Sequence, residues 1–173
     1  THGIVFGDGH AARHKYGEPY RAAKIILYGS KDAELLVWFP NFRTAPSERS
    51  IGGIEVLDLP RYFKQLPSHQ ECASYLSGWL AGYFAADGCV DEHGHPTLSS
   101  AKESNLVFVE RICQKLGIRT TGIRNQLRKG YSKNRSVLYT LSFETGTLPS
   151  KFFLLLQHRQ RAKERSTDAL WLV

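Results

Sequence analysis

The stretch Leu80-Ala-Gly-Tyr-Phe-Ala-Ala-Asp-Gly88 decides the fold, because it combines helical periodicity with closely spaced small residues. Apolar residues recur at positions 76, 80, 83 and 84, which predicts a helix over Tyr75–Ala86. Gly78 and Gly82 stand inside this helix, where each glycine costs about 1 kcal/mol relative to alanine. Small residues at four-residue spacing allow a second backbone to approach closely. We therefore expect another helix to pack against this one.

The chain itself supplies a second copy of this stretch. Residues 1–9 read Thr-His-Gly-Ile-Val-Phe-Gly-Asp-Gly, and a shift of 79 places Gly3 on Gly82 and Asp8 on Asp87. We expect the two motif helices to pack through their small residues, namely Gly3, Gly7, Gly78 and Gly82. Glycine often ends helices in the left-handed conformation, and Gly9 and Gly88 are expected to do so here.

The repeat continues beyond the motif in the same order. Leu27–Trp38 matches Leu98–Val109 at a shift of 71, which pairs Lys31 with Lys102, and Leu59–Leu66 more loosely echoes Leu148–Leu155. Three blocks in one order indicate two copies of one supersecondary unit. Two copies favour a pair of pseudo-symmetric halves over a solenoid, which usually needs three or more units.

Local patterns predict the order α-β-β-α-β-β-α for each half. In the second half we expect strands at Cys89–Asp91 and Thr97–Ser100, a helix at Lys102–Leu116 ended by Gly117, strands at Thr120–Leu127 and Ser136–Phe143, and a helix from Pro149 to about Glu164. The first half is predicted to contain strands near Arg13–Tyr16 and Tyr20–Leu27, a helix at Lys31–Phe39, strands after Ile51 and a short helix at Arg61–Leu66. The fold class is thus α+β, with halves at residues 1–70 and 71–173 joined by Pro67–Glu71.

Composition limits the class of protein. No apolar run reaches the roughly 18 residues of a membrane span, and no secretory signal opens the sequence, so we expect an intracellular protein away from membranes. Three cysteines without a CxxC pair favour reduced thiols. The net charge is +7, and residues 111–165 hold 13 Lys or Arg against two acidic residues. This basic segment suggests a surface that faces phosphate, and a solvated basic face without a partner is an equal alternative at this point.

The repeated aspartates carry the chemistry. A single Asp-Gly pair usually marks a helix end or a turn, but here Asp8 and Asp87 end two helices that we expect to touch. Two adjacent carboxylates repel unless a proton or a cation lies between them. Mg²⁺ takes oxygen ligands from one or two carboxylates together with water and phosphate. The pattern therefore predicts metal-dependent cleavage of a phosphodiester.

Leu80–Gly88 resembles the LAGLIDADG motif of homing endonucleases, and Thr1–Gly9 resembles a diverged second copy. The resemblance implies the single-chain form, with two αββαββα halves whose antiparallel sheets form a saddle over DNA. It implies a monomer that cuts double-stranded DNA at a long specific site. It also implies Mg²⁺, or Mn²⁺, held by Asp8 and Asp87 with the preceding residues Gly7 and Ala86. Members of the family are often embedded in inteins, so splicing segments are expected to flank the chain in the full protein.

The resemblance also implies a basic residue near each reacting phosphate. By position these are Lys64 in the first half and Arg159 in the second, with Lys163 behind it; the alternative is that they are ordinary surface cations. The family often places a water-orienting polar residue before the middle helix of each half. Ser30 and Ala101 hold that place here, and alanine cannot orient water. Whether both strands are cut equally therefore stays open.

Alternation along the strands predicts which side chains reach DNA. The candidates in the second half are Arg124, Gln126, Arg128, Lys129, Lys133 and Arg135, and those in the first half are Arg13, Lys15, Arg21 and Lys24. Cys89, His93 and His95 match no zinc spacing, so we expect no zinc site. Two alternatives remain: a DNA-binding regulator of this fold with weakened catalysis, and an RNA maturase. Both acids of the motif are present, which favours the nuclease over the regulator.

Overall fold

A computed structural model describes residues 1–11, 22–48, 51–91, 93–129 and 135–147. Helix α1 (His2–Asp8) precedes strands β1 (His10–Ala11) and β2 (Ala22–Leu27), helix α2 (Gly29–Asp32), a 3₁₀ helix at Ala33–Trp38, strands β3 (Thr44–Pro46) and β4 (Ile54–Pro60), and a 3₁₀ turn at Arg61–Lys64. Helix α3 (Ala73–Asp87) follows, and it leads into strands β5 (Gly88–Val90) and β6 (Pro96–Ser100). After these come helix α4 (Glu103–Leu116), strands β7 (Thr120–Lys129) and β8 (Arg135–Phe143), and a 3₁₀ turn at Thr145–Thr147. The helix predicted from Pro149 and the strand predicted at Arg13–Tyr16 lie outside the described residues.

Two four-stranded antiparallel sheets confirm the α+β fold class. The first has the strand order β1-β2-β4-β3 and the second has the order β5-β6-β8-β7, so each sheet repeats the same topology. Each motif helix leads directly into the first strand of its sheet. This shared order is the structural form of the sequence repeat, while the division at residues 70 and 71 stays a prediction.

The two motif helices pack against each other at the centre of the molecule. Helix α3 buries apolar side chains around most of its circumference, among them Leu76, Trp79, Leu80 and Phe84. A helix that is apolar on every side is typical of an interior position. Helix α3 can occupy that position because α1 covers one of its faces and the second sheet covers another.

Reciprocal glycine contacts set the spacing of this helix pair. A Cβ atom on Gly3 would lie 1.9 Å from the Trp79 carbonyl oxygen and 2.6 Å from the Tyr83 nitrogen. A Cβ on Gly82 would lie 2.9 Å from the Ile4 nitrogen. Each glycine therefore faces the residue that follows the other glycine, which is a pseudo-twofold relationship.

The expectation for Gly78 is wrong. This residue is exposed, and a Cβ added there would meet no atom within 4 Å, because its side of α3 faces away from α1. Gly7 does lie at the interface, where an added Cβ would be 2.4 Å from the Ala86 Cβ.

The motif glycines do not end their helices in the left-handed conformation, which is a second correction. Gly9 has φ −75° and Gly88 has φ −80°, both in the extended region. A Cβ on Gly88 would lie 2.3 Å from the Phe84 carbonyl oxygen. Close approach to the preceding helical turn, rather than backbone freedom, therefore requires glycine at Gly88. The left-handed helix end occurs instead at Gly117, with φ 70° after α4.

Each sheet closes over its own apolar core. One core contains Ile4, Val5, Ile25 and Val56. The other contains α3 residues together with Leu98, Leu141 and the inner face of α4. The helix predicted at Lys31–Phe39 is instead the short α2 followed by a 3₁₀ helix. Phe39 is buried there, whereas Val37 and Trp38 are exposed. No helix in the described part of the chain is both long and apolar enough to cross a membrane.

Candidate functional site

The paired motif helices bring the two predicted acids to the same end of the helix pair. Asp8 is the last residue of α1, Asp87 is the last residue of α3, and both are exposed. Asp87 lies against the other helix, since its Oδ2 atom would be 3.1 Å from a Cβ on Gly7. The C-terminal end of a helix carries partial negative charge. Two such ends with two carboxylates make a strongly cation-attracting position.

Lys64 supplies the first cation at this position. Its Nζ atom donates to the carbonyl oxygens of Val5 at 3.0 Å and Phe6, and it lies 3.5 Å from that of Gly7. Burial lowers the pKa of Lys64, while the charges of Asp87 and Asp8 act in the opposite direction. The ammonium group is thus half-buried beneath the acids, at the last turn of α1. The sequence predicted Lys64 as a site residue, and the structure places it beside both aspartates.

A cleft of about 570 Å³ opens beside Asp87. Its walls come from both parts of the chain: Phe6, Gly7, Lys64 and Leu66 from the first, and Tyr83, Asp87, Ser99, Ser100, Ala101, Lys102, Asn105 and Leu138 from the second. Sequence reasoning missed Lys102, Tyr83 and Asn105 as site residues. The signal for Lys102 was the repeat, which aligns it with Lys31 just after the strand that follows each motif.

The donor set fits a hard divalent cation. The exposed carboxylates of Asp8 and Asp87 and the backbone carbonyl groups at the C-terminal end of α1 provide oxygen atoms. Mg²⁺ and Mn²⁺ prefer oxygen ligands. No group of three or more His, Cys, Asp or Glu that could hold a metal occurs among the residues that the structure describes. Mg²⁺ does not need such a group, because it usually keeps several waters and bridges one or two carboxylates to phosphate.

The histidines near Cys89 form a turn. The Asp91 carboxylate accepts from the backbone nitrogens of His93 at 3.0 Å and His95 at 2.8 Å. It also pairs with the His95 ring at 3.1 Å. These contacts use the carboxylate to shape the loop between β5 and β6.

The second sheet presents a row of exposed polar side chains. The register pairs Arg124 with Thr140, Gln126 with Leu138 and Arg128 with Ser136, so Arg124, Gln126 and Arg128 alternate onto one face of β7. Leu141, one residue from Thr140, is buried in the core on the opposite face. The Ser99 hydroxyl lies 3.3 Å from that of Thr140 and extends the polar face to β6.

The remaining residues predicted to contact DNA lie in different structural surroundings. Lys24 forms an ion pair with Glu55 at 2.8 Å, with only 19% and 13% of their side chains exposed, so its charge is compensated within the first sheet. The backbones of Lys129 and Arg135 pair across the end of the β7–β8 ribbon. Other candidates lie outside the described residues, namely Arg13, Lys15, Arg21, Lys133, Arg159 and Lys163. Ala101 lines the cleft beside Asp87, where its methyl group cannot orient water.

Comparison with known proteins agrees with this geometry. Residues 74–154 match the family described as LAGLIDADG-like domain. Mesophilic variants of the homing endonuclease I-DmoI share the fold with a TM-score of 0.54 and 15% identity, over 87% of this chain and 83% of theirs. I-DmoI in complex with DNA and Ca superposes with a TM-score of 0.51 and 14% identity, over 91% of this chain and 95% of the enzyme.

Two further similarities come from other contexts. The N-terminal LAGLIDADG domain of WhiA matches with a TM-score of 0.52 and 15% identity, over 91% of this chain and 77% of that one. The large subunit of ribonucleoside-diphosphate reductase from Invertebrate iridescent virus 6 is 35% identical over 116 residues, or 65% of this chain. The match spans only 11% of the length of that subunit.

Proposed function

The chain has the LAGLIDADG fold and carries a LAGLIDADG-like domain at residues 74–154, and from this premise we propose that it is a site-specific endonuclease for double-stranded DNA. One observation carries the proposal: Asp8 and Asp87 end two helices in close contact, beside a cleft that also holds Lys64 and Lys102. We propose Mg²⁺ or Mn²⁺ as the cation. The related I-DmoI structures with Ca and with Mn support this choice.

The charged residues of the site each have a part in the proposed hydrolysis. Asp8 and Asp87 would hold the cation, with the Gly7 and Ala86 positions forming the floor between them. When bound, the cation would lower the pKa of a water molecule and neutralise phosphate charge. The water would lose a proton as its oxygen bonds to phosphorus, and one P–O ester bond would break, its oxygen leaving with a proton in exchange. Lys102 and Lys64 are placed to offset the negative charge of the phosphate as this occurs.

Binding of the duplex falls to the exposed polar face of the second sheet. Arg124 can pair with guanine and Gln126 with adenine, whereas cations toward the end of the β7–β8 ribbon suit phosphates. Lys24, already paired with Glu55, is a weaker candidate than the notably exposed Arg124. Because both acids lie on one chain, we propose that the protein works as a monomer inside the cell.

Replacement of either acid tests this proposal. Asp87→Asn and Asp8→Asn keep the side-chain shape but remove the charge that would hold the cation. Loss of an outer partner of a metal ligand costs about 10–100-fold, so loss of a ligand should cost at least as much. We expect cleavage with Mg²⁺ to fall by that factor or more, while DNA binding persists. A target is first recovered by cleavage selection from a randomised library, and products are then resolved strand by strand.

Asp58→Asn is the matched control for these variants. Asp58 is exposed, pairs with Arg43, does not line the cleft, and has φ 58°, a conformation that asparagine tolerates well. This variant should cut like the wild type. Normal cutting by both Asp8→Asn and Asp87→Asn would remove the metal site from the proposal.

The alternative is a nucleic-acid-binding protein of the same fold with weakened catalysis. The similarity to the N-terminal LAGLIDADG domain of WhiA supports keeping this alternative. Enrichment of bound DNA without any cut would support a DNA-binding regulator. Tight binding of structured RNA in place of DNA would support a maturase.

We also propose that the chain is the endonuclease part of an intein. A 116-residue match inside a much longer reductase subunit supports this origin, because such a segment fits an insertion in a host enzyme. Expression of the complete reading frame should then release a shorter, ligated host protein. A host protein that keeps the segment uncleaved would contradict the intein origin.

A further inference from the structure

The cleft beside Asp87 contains a phenol that the proposed reaction does not use. Tyr83 lies on α3 one turn before Asp87, and only 1% of its surface is exposed. It lines the cleft together with Ser100, Lys102 and Asn105. A buried hydroxyl normally has a hydrogen-bonding role, since an unpaired one is costly.

The polar side chains around this phenol form a network. Asn105 Nδ2 donates to Ser100 Oγ at 3.2 Å, and the Lys102 backbone nitrogen donates to the same oxygen at 3.1 Å. Ser100 Oγ therefore already accepts two hydrogen bonds, which leaves its own proton for the Tyr83 oxygen. Burial raises the pKa of Tyr83, and hydrogen bonding to Ser100 and Asn105 opposes that shift.

The network holds the backbone of Lys102 in place. Lys102 is the residue just before α4, and the Asn105 nitrogen donates to its carbonyl oxygen at 3.2 Å. The Lys102 backbone nitrogen in turn donates a hydrogen bond to the Ser100 hydroxyl oxygen. Two backbone contacts thus fix the entry to α4, and Tyr83 lines the same cleft as Ser100 and Asn105, one turn before the end of α3.

The first half carries different residue types at the positions that match this network. The reciprocal contacts of Gly3 and Gly82 make Ile4 the counterpart of Tyr83, and isoleucine has no hydroxyl. The repeat aligns Gly29 with Ser100 and Glu34 with Asn105. Three polar groups that act together beside Asp87 are therefore replaced by different residue types beside Asp8.

We infer that Tyr83 is a positioning residue for the cut made beside Asp87, acting through Ser100 and Asn105 on Lys102. This inference rests on the proposed nuclease function and adds that the two strands are cut at unequal rates. The centre beside Asp87, with its braced lysine, cuts its strand faster. The centre beside Asp8 has other residue types at the matching positions and cuts the other strand more slowly.

Tyr83→Phe tests the inference, because it removes one oxygen and keeps the ring in the core. Single-turnover cleavage of a duplex labelled on both strands gives a separate rate for each strand. We expect the faster strand to slow by roughly five- to tenfold, the loss typical of one hydrogen bond, with the slower strand unchanged. Asn105→Ala should act on the same strand. The double variant should be little worse than either single one, because the residues act in one chain of contacts.

Tyr75→Phe is the matched control on the same helix. Its hydroxyl contacts His2 Nδ1 at 2.7 Å, three turns of α3 away from the acids. The change should leave the ratio of strand rates as in the wild type.

A merely structural role for Tyr83 would lower both rates together, and that result would overturn the inference. So would an unchanged ratio in Asn105→Ala, which stays informative if Tyr83→Phe folds poorly. If the wild type cuts both strands but the variants leave the ratio of the two strand rates unchanged, only this inference is wrong. If the wild type cuts neither strand, the proposed function is wrong as well.

Discussion

At the scale of single residues, the molecule depends on a few positions where two backbones nearly touch. Gly3 and Gly82 face each other across the helix pair, and the Asp87 carboxylate lies against Gly7. These contacts place the acids together, so the same glycines set both the helix packing and the geometry of the proposed site. The motif spacing predicted Gly3, Gly7 and Gly82 correctly. It could not predict that Gly78 faces outward, because spacing along one helix does not reveal where a crossing helix departs from it.

Alanine substitutions at two of these glycines should have opposite effects. Gly3→Ala would place a methyl group 1.9 Å from the Trp79 carbonyl oxygen, which forces the helices apart. We expect it to lower the free energy of unfolding by about 1–3 kcal/mol or more. Gly78→Ala meets no atom within 4 Å on an exposed helical surface, so it should raise stability by roughly 0.5–1 kcal/mol. Urea unfolding of the two variants measures both, and equal effects would contradict the assignment of the helix interface.

At the scale of elements, sequence pattern was most informative where one face of a helix meets a core. Helix α4 was predicted to begin one residue before its observed start and to end at the observed residue, because its apolar positions follow the helical period and Gly117 ends it. The helix expected at Lys31–Phe39 is mostly 3₁₀, since its apolar run exceeds what one face can bury and leaves Val37 and Trp38 exposed. The pattern contained the residues of the cleft network without revealing that α3, β6 and α4 bring them together.

A buried histidine joins three of these elements and should make stability depend on pH. In α1, His2 contacts the Tyr75 hydroxyl at 2.7 Å through Nδ1 and the Gln65 carbonyl oxygen at 3.0 Å through Nε2. Burial lowers the pKa of His2. Between that lowered value and the ordinary value of about 6.5, the unfolded chain binds more protons than the native protein. The free energy of unfolding should therefore decrease as the pH falls through this window.

Chemical unfolding at a series of pH values tests this link. His2→Gln should lose this part of the dependence, whereas His95→Gln, on an exposed turn, should retain it. Parallel pH profiles for the wild type and His2→Gln would exclude His2 as the source.

At the scale of the whole molecule, two sheets of identical strand order flank a central helix pair, and one sheet bears a face rich in arginine. The repeat in the sequence predicted this arrangement, because each block recurs in the same order. The net charge of +7 predicted a polyanionic partner but not which surface would meet it. Only strand register separates Arg124, on the exposed face, from neighbours that point toward the core.

DNA binding should weaken steeply as salt increases, because each neutralised phosphate contributes a slope of about −0.9 in log K against log salt. Arg124→Ala should weaken binding. The slope should fall by about 1 if Arg124 contacts phosphate, or specificity should relax at one position if it reads a base. Arg119→Ala is the control, since Arg119 is equally exposed but lies 3.6 Å from Glu144 at the other end of β7. Fluorescence anisotropy across a salt series measures both. A flat salt response would argue against a charged binding face.

The mixed walls of the cleft constrain how such a protein can diversify. Phe6, Gly7, Lys64 and Leu66 arrive from one end of the gene, and Asp87, Ser100 and Lys102 arrive from the other. A recombinant protein that joined the early segment of one relative to the late segment of another would keep both sheets. The walls of its cleft, however, would come from two different proteins. Under the proposed function, the early and late residues of the cleft would therefore have to be selected as a pair.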